Sequence, residues 1–124
     1  MGHEVIGLKY AGSNELVGFV DLSLQQDCGS MDALKAVPLD TRRRIHKNLQ
    51  PYLCNLLVAA PYRRRGLGRM LVQACEKEAL SWGCSTINLH VESFSLPALT
   101  LYVSQNFDIL QKRDNGILFM RKSL

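Results

Sequence analysis

The chain has 124 residues, 47% of them apolar, and its 15 Lys and Arg outweigh 11 Asp and Glu to leave a net charge of +4. That length builds one domain around one core and is too short for two. The positive surplus is small and gathered in two runs, "TRRR" at 41–44 and "YRRRGLGR" at 62–69, which excludes a uniformly basic surface and points to local anion binding.

In chain order, the apolar-alternating stretches Glu4–Tyr10 and Glu15–Leu24, joined by "AGSN", predict an antiparallel hairpin. Residues 25–50 break the pattern. Polar, basic and interrupted by Gly29 and Pro38, they predict a mobile insertion with at most a helical turn or two. "YLCNLLVAA", starting at Tyr52, is a near-continuous apolar run of strand length, the pattern of a strand buried on both faces. From Gly66 to Trp82, the residues Leu67, Leu71, Cys75, Ala79 and Trp82 recur at steps of three and four, which predicts an amphipathic helix closed by Gly83. "STINLHVES" alternates, placing Ile87, Leu89 and Val91 on one face of a strand and Asn88, His90 and Glu92 on the other. "SLPALTLYVSQN" predicts a short second helix capped at Ser95 or Leu96, with Pro97 in the first turn, where its missing N–H has no partner to lose. "FDIL", "KRDNG" and "ILFMRK" close the chain as a hairpin. The order ββ, insertion, βαβα, ββ belongs to a mixed sheet with helices packed on it, and no repeat or low-complexity tract appears.

Four cysteines, Cys28, Cys54, Cys75 and Cys84, form no C-x-x-C pair, and Cys54 and Cys75 fall in apolar segments. They read as reduced thiols of an intracellular protein. The longest apolar stretch, Leu53 to Pro61, is about half of the roughly 20 residues a bilayer span needs. Met1 to Ile6 lacks signal-peptide character, and Gly2 is not followed by Ser or Thr at position 6, so a soluble protein without a lipid anchor is expected.

The junction "VAAPYRRRGLGRM" concentrates charge and backbone freedom where a strand hands over to a helix. A helix start exposes unpaired N–H groups and the positive end of the macrodipole. Gly66 and Gly68 leave that backbone open to a phosphate, and Arg63, Arg64, Arg65 and Arg69 add bidentate donors. A dinucleotide fingerprint would need glycine where Leu71 stands, and a P-loop would need Gly-Lys-Ser/Thr; neither is present. Residue chemistry alone leaves two readings, a seat for a phosphorylated ligand or a solvated helix start that binds nothing.

Arg63-x-x-Gly66-x-Gly68 after a buried strand resembles the acetyl-CoA pyrophosphate loop of the GNAT superfamily of N-acetyltransferases, Gln/Arg-x-x-Gly-x-Gly/Ala. The family's second segment, Asn-x-x-Ala-x-x-Leu-Tyr-x-x-x-Gly-Phe, is similar to Ser95, Ala98, Leu101, Tyr102, Asn106 and Phe107 at the same spacings. Ser95 stands where the family has Asn, and Asn106 where it has Gly, a mild change because Asn tolerates left-handed angles. "WGCSTINLHVES" further resembles plastid and cyanobacterial members that acetylate protein N-termini and lysines. The resemblance implies an α/β (α+β) fold: a mixed, mostly antiparallel central sheet, splayed in a V between its two middle strands, with helices on both faces. It makes residues 1–124 a single N-acetyltransferase domain with 25–50 as its insertion, and a plastid compartment is implied by resemblance only. The family's first strand and first two helices, which usually form one wall of the acceptor site, have no counterpart before Met1.

The resemblance also implies roles. Acetyl-CoA is the expected cosubstrate, with no metal. Leu56, Leu57 and Val58 would offer backbone to its pantetheine arm, Arg63 to Arg69 with Gly66, Leu67 and Gly68 would hold the diphosphate, and Ser95, Ala98 and Tyr102 would line the arm's other side. Tyr102 is the candidate acid for the departing thiol, with its reference pKa of about 10 near the thiol's 8.5. Outside the motif it reads equally as a packing residue. Tyr52 and His90 match the Tyr and His that hold a deprotonating water in eukaryotic N-terminal acetyltransferases, and Glu92 is the alternate base. The acceptor expected is a protein N-terminal α-amine or a lysine side chain. A CoA-binding regulatory domain and a small-molecule amine acetyltransferase stay open beside it. Nucleic acid is not an expected partner, since no aromatics interleave the first basic run for stacking.

Overall fold

The computed structural model describes residues 3–9, 11–12, 14–26 and 49–124. Six strands form one sheet: β1 (His3–Lys9), β2 (Leu16–Gln26), β3 (Leu49–Val58), β4 (Thr86–Glu92), β5 (Asp108–Lys112) and β6 (Ile117–Ser123), in the spatial order β1-β2-β3-β4-β6-β5. Helix α1 (Leu67–Ser81) joins β3 to β4, and α2 (Leu96–Ser104) joins β4 to β5. Neighbouring strands are antiparallel except β3 and β4, which run parallel because α1 carries the chain back across the sheet.

The element order is the one the sequence predicts. Residues 27–48 of the predicted insertion, with Cys28 and the first arginine run, lie outside the described residues, as do Tyr10 and Ser13 of the first turn. The insertion's flanks are strand rather than loop: Gln25 pairs with Gln50 and Gln26 with Leu49, lengthening β2 and β3. Gly83, at φ 81°, follows the last turn of α1 as the pattern requires, and Asn106, at φ 71°, takes the left-handed step after α2.

One core joins both helices to one face of the sheet. Leu22, Leu53, Leu89 and Met120, from four adjacent strands, meet Leu71 and Cys75 of α1 and Tyr102 of α2. Ile87 and Val91 complete the inward set on β4, as its alternation predicts. A helical layer on the opposite face is not among the described residues. That face carries Tyr52, Asn88, His90 and Phe119.

The parallel ladder between β3 and β4 has two rungs, Tyr52 with Asn88 and Leu53 with Leu89, although the strands continue to Val58 and Glu92. A bulge bends β3 where the ladder ends. Its register against β2 jumps from Leu57–Phe19 to Cys54–Asp21, inserting one residue. Asn55 absorbs the insertion at φ 55°, and its Nδ2 donates to Asp21 Oδ2 at 2.9 Å. Burial on both faces therefore holds for Pro51, Tyr52 and Leu53 and fails beyond them, where β4 has left: Leu57 is 49% exposed.

Leu71 is fully buried, within van der Waals distance of the Gly18 backbone that faces it. Leu71→Ala is expected to cost about 2–5 kcal/mol of unfolding free energy, read as a lowered urea midpoint with an unchanged slope.

Candidate functional site

The gap between β3 and β4 presents backbone. Ala59 N–H donates to the Val17 carbonyl at 2.8 Å, which makes the register partners Gly18 and Val58 a non-hydrogen-bonded pair. The N–H and C=O of Val58 accordingly point away from β2, into the gap. Leu57 turns its carbonyl to β2, 3.0 Å from where a Cβ on Gly18 would stand. Of the three residues expected to offer backbone here, Val58 faces the gap. The side chains of Leu56 and Val58 both pack half-buried against the core, and Leu57 is exposed.

A short 3-10 turn, Ala60–Tyr62, leads from β3 to the arginine run. Arg63 Nε donates back to the Val58 carbonyl at 3.0 Å and braces the strand end. Arg64 at φ 63° and Gly66 at φ 78° reverse the chain into α1. Gly66 is the N-cap, no side chain caps the helix, and no acidic residue lies in its first turn. Met70 N–H reaches the Gly66 carbonyl at 3.1 Å, so the N–H groups of Leu67, Gly68 and Arg69 precede the first helical bond and emerge from the helix end. Arg64, Arg65 and Arg69 are exposed around them, with Arg65 lying over the Tyr62 ring at 5.7 Å. Amide donors, dipole and guanidinium groups converge on one spot suited to phosphate oxygens.

Gly68 serves a purpose the sequence does not reveal. A Cβ there would stand 3.1 Å from Leu101 Cδ2 and 3.8 Å from Leu56 Cδ2. Its missing side chain lets α2 dock on the first turn of α1. Leu101 precedes Tyr102, so this contact also sets how near the phenol lies to the loop. Ser95 caps α2 without a side-chain bond, and Ala98 packs half-buried against the core.

Tyr102 is 7% exposed, edge-on to Phe107 at 5.8 Å. Burial first, and the nearby Cys75 and Cys54 thiols second, push its phenol up to about 12. It stays protonated through the physiological range. The near-match to a thiol expected from the sequence does not survive this environment: full transfer to a thiolate of pKa about 8.5 would be uphill by roughly 5 kcal/mol. What the side chain can do at low cost is donate a hydrogen bond to a developing sulfur anion.

On the opposite sheet face, Tyr52 and His90 come together as the resemblance implies. Their rings stack at 5.8 Å and 8°. Phe119 of β6, the register partner of His90, adds a third ring, 5.2 Å from His90 and 6.3 Å from Tyr52. Sequence reasoning passed over Phe119; the signal was the closing strand "ILFMRK", whose antiparallel pairing with β4 sets 119 against 90. His90 is itself exposed at one side, yet partial desolvation beside these rings, and then the Arg113 charge, hold its imidazole below its ordinary 6.5. Glu92, two residues on, is exposed at the end of β4. Cys54, Cys75 and Cys84 are free thiols, all raised, chiefly by burial, Cys75 to about 12, so none is an activated nucleophile. Among the described residues no three of His, Cys, Asp and Glu gather as a metal site, and no helix is long and apolar enough to cross a membrane.

A family model described as acetyltransferase (GNAT) family matches residues 3–107. A curated relative, GCN5-related N-acetyltransferase 4, chloroplastic, from Arabidopsis thaliana, is 38% identical over 56 residues; the match takes in 45% of this chain and 19% of that protein. Among solved structures, Arabidopsis thaliana NAA60 in complex with acetyl-CoA superposes with a TM-score of 0.72 at 18% identity, covering 100% of this chain and 77% of the other. The ribosomal-protein-S18-alanine N-acetyltransferase from Escherichia coli superposes at 0.66 and 22% identity, covering 98% and 68%. These structural likenesses show a shared fold.

Because its pKa is lowered, His90 keeps its neutral, proton-accepting form down to more acidic pH than a free histidine, and protonation works against the fold as pH drops below 6.5. In an NMR titration, with His90→Gln to assign the signal, the His90 ring is expected to titrate below 6.5. Arg113→Gln is expected to raise that midpoint.

Proposed function

Because the chain belongs to the acetyltransferase (GNAT) family, we propose that it moves an acetyl group from acetyl-CoA to a primary amine by direct attack, with both substrates bound together. The observation that carries this reading is the two-rung ladder of β3 and β4, which opens a gap bordered by the Val58 backbone, to which the arginine loop is tied through Arg63. Acetyl-CoA supplies the activated thioester. The N–H groups of Leu67, Gly68 and Arg69, with Arg64, Arg65 and Arg69, hold its diphosphate, and the β3 backbone from Leu56 to Val58 runs alongside the pantetheine arm.

Each remaining group then has a task. On the far face, His90, flanked by Tyr52 and Phe119, takes the proton from the incoming amine, directly or through a water. The Val58 N–H, aimed into the gap, is the donor placed to stabilise charge developing on the carbonyl oxygen. Tyr102 donates its hydrogen bond to the departing sulfur. Arg63 takes part indirectly, through the strand end it braces.

The acceptor class follows from the base. An α-amine of pKa about 7.8 is roughly one-seventh neutral at pH 7, whereas a lysine of about 10.4 is neutral about once in several thousand, a gap near 3.5 kcal/mol. A histidine of lowered pKa covers the first more readily than the second, so protein N-termini are the favoured acceptors and lysines secondary ones. The Escherichia coli neighbour named as an alanine N-acetyltransferase is in keeping with this, and the name of the chloroplastic relative suggests a plastid setting.

Thiol release from acetyl-CoA, measured against a peptide panel, tests the reading. Arg64→Glu with Arg65→Glu, both exposed, should weaken coenzyme binding by about tenfold or more in calorimetry. Tyr102→Phe should leave that affinity within about twofold while slowing turnover by roughly 10²- to 10³-fold. A variant at Gly68 would not separate these effects, since a side chain there presses on Leu101, the neighbour of Tyr102. Coenzyme binding without amine-dependent turnover would make this a CoA-binding domain; no binding at low salt sinks the reading. On the same panel, a peptide with a free N-terminus should react faster than one whose N-terminus is blocked and whose lysine is free, and the reverse order would overturn the acceptor assignment.

A further inference from the structure

Asn88 is fully buried in the middle of the sheet, and the chemistry above makes no use of it. Beside it, Pro51 occupies β3 without an N–H to give the ladder. Asn88 Nδ2 donates to the Pro51 carbonyl at 3.1 Å, and its Oδ1 accepts from Arg121 Nε at 2.6 Å. The register makes both contacts natural, since Asn88 lies beside Tyr52 on β3 and opposite Arg121 on β6. Arg121 also holds its guanidinium over the Phe119 ring at 5.4 Å. That ring is the one standing against both His90 and Tyr52.

One amide thus ties three strands together at the first of the two rungs that β3 and β4 share. A paired buried amide contributes about 1 kcal/mol net, which an apolar side chain of similar volume could match. What an apolar residue could not supply is direction: Asn88 has a donor committed to β3 and an acceptor committed to β6.

We propose that Asn88 and Arg121 are positioning residues for the amine side of the gap. Asn88 fixes β3 one residue before Tyr52, and Arg121 fixes the ring on which His90 rests. This rests on the reading of Tyr52 and His90 as the amine-activating pair. The arrangement explains how a splayed sheet keeps its two proton-handling side chains stacked, although the strands that carry them are unpaired immediately beyond.

The variants separate the two ties. In Asn88→Asp the bond to Arg121 survives, but the donor to Pro51 is replaced by an oxygen facing an oxygen. Arg121→Met keeps the stem and removes both the bond and the charge over Phe119, and Arg121→Lys keeps a donor for Asn88. With the full chain, four quantities are measured for each: coenzyme affinity, kcat per folded molecule, the urea midpoint, and the proton shifts of the His90 ring, which the currents of Tyr52 and Phe119 displace. For Asn88→Asp and Arg121→Met the expected result is kcat lower by about tenfold or more, coenzyme affinity within about twofold, and moved His90 resonances, with Arg121→Lys recovering most of the loss. If stability alone falls, with kcat per folded molecule and the His90 resonances as in the parent, or if coenzyme affinity falls in step with kcat, the proposal is overturned. Should the parent turn over no amine at all, the functional reading fails separately. The His90 resonances then decide the matter, and unmoved signals in Asn88→Asp refute the positioning.

Discussion

The architecture depends on two neighbouring strands that cease to be neighbours. Parallel pairing normally continues as long as both strands do, because each added rung satisfies backbone groups that would otherwise need another partner. Here β3 and β4 make two rungs and separate, and the cost is held down at identifiable places. Asn55 absorbs the extra residue with a left-handed angle that asparagine tolerates, and Asp21 secures it. Arg63 satisfies the Val58 carbonyl from outside the sheet. The Val58 N–H remains directed into the gap, the kind of obligation an extended, amide-bearing ligand can discharge.

The same separation sorts the chemistry by side. Both described helices, the arginine loop and the buried phenol lie with one face of the sheet; the Tyr52, His90 and Phe119 rings lie on the other. Under the proposed reaction, two substrates entering from opposite faces would meet where no backbone intervenes, in the gap. The protonation states divide in the same way. Tyr102, in apolar surroundings, keeps its proton, and His90, between aromatic rings and a positive charge, sheds its own early. A donor on one side and an acceptor on the other is the polarity that amine acylation at neutral pH calls for.

Most of this fold was legible in the sequence because its signals are local. The alternation of 87, 89 and 91, the three-four spacing of α1, the proline in the first turn of α2 and the left-handed demand at Asn106 each follow from a few adjacent residues. The parting of the strands was legible only through family resemblance, since its causes, a bulge and a two-rung register, depend on which residues meet across the sheet. The same limit hid Phe119, which acquires its place from β4, and the pairing of Asn88 with Pro51. The arginine run illustrates a different limit. Four similar side chains look equivalent in the sequence, yet one turns back to hold a strand end while three remain around the helix start. The acidity of Tyr102 was not legible, because burial shifts a phenol in ways no motif records.

Gly68 touches Leu101 through what would be its own side-chain position, and the neighbour of Leu101 is the phenol. The anion seat and the helix that carries the hydroxyl therefore meet at a side-chain contact, Leu101 against the open position at Gly68. For a ligand held at its diphosphate end and reacting at its sulfur end, the bulk allowed at position 68 bears on both ends at once.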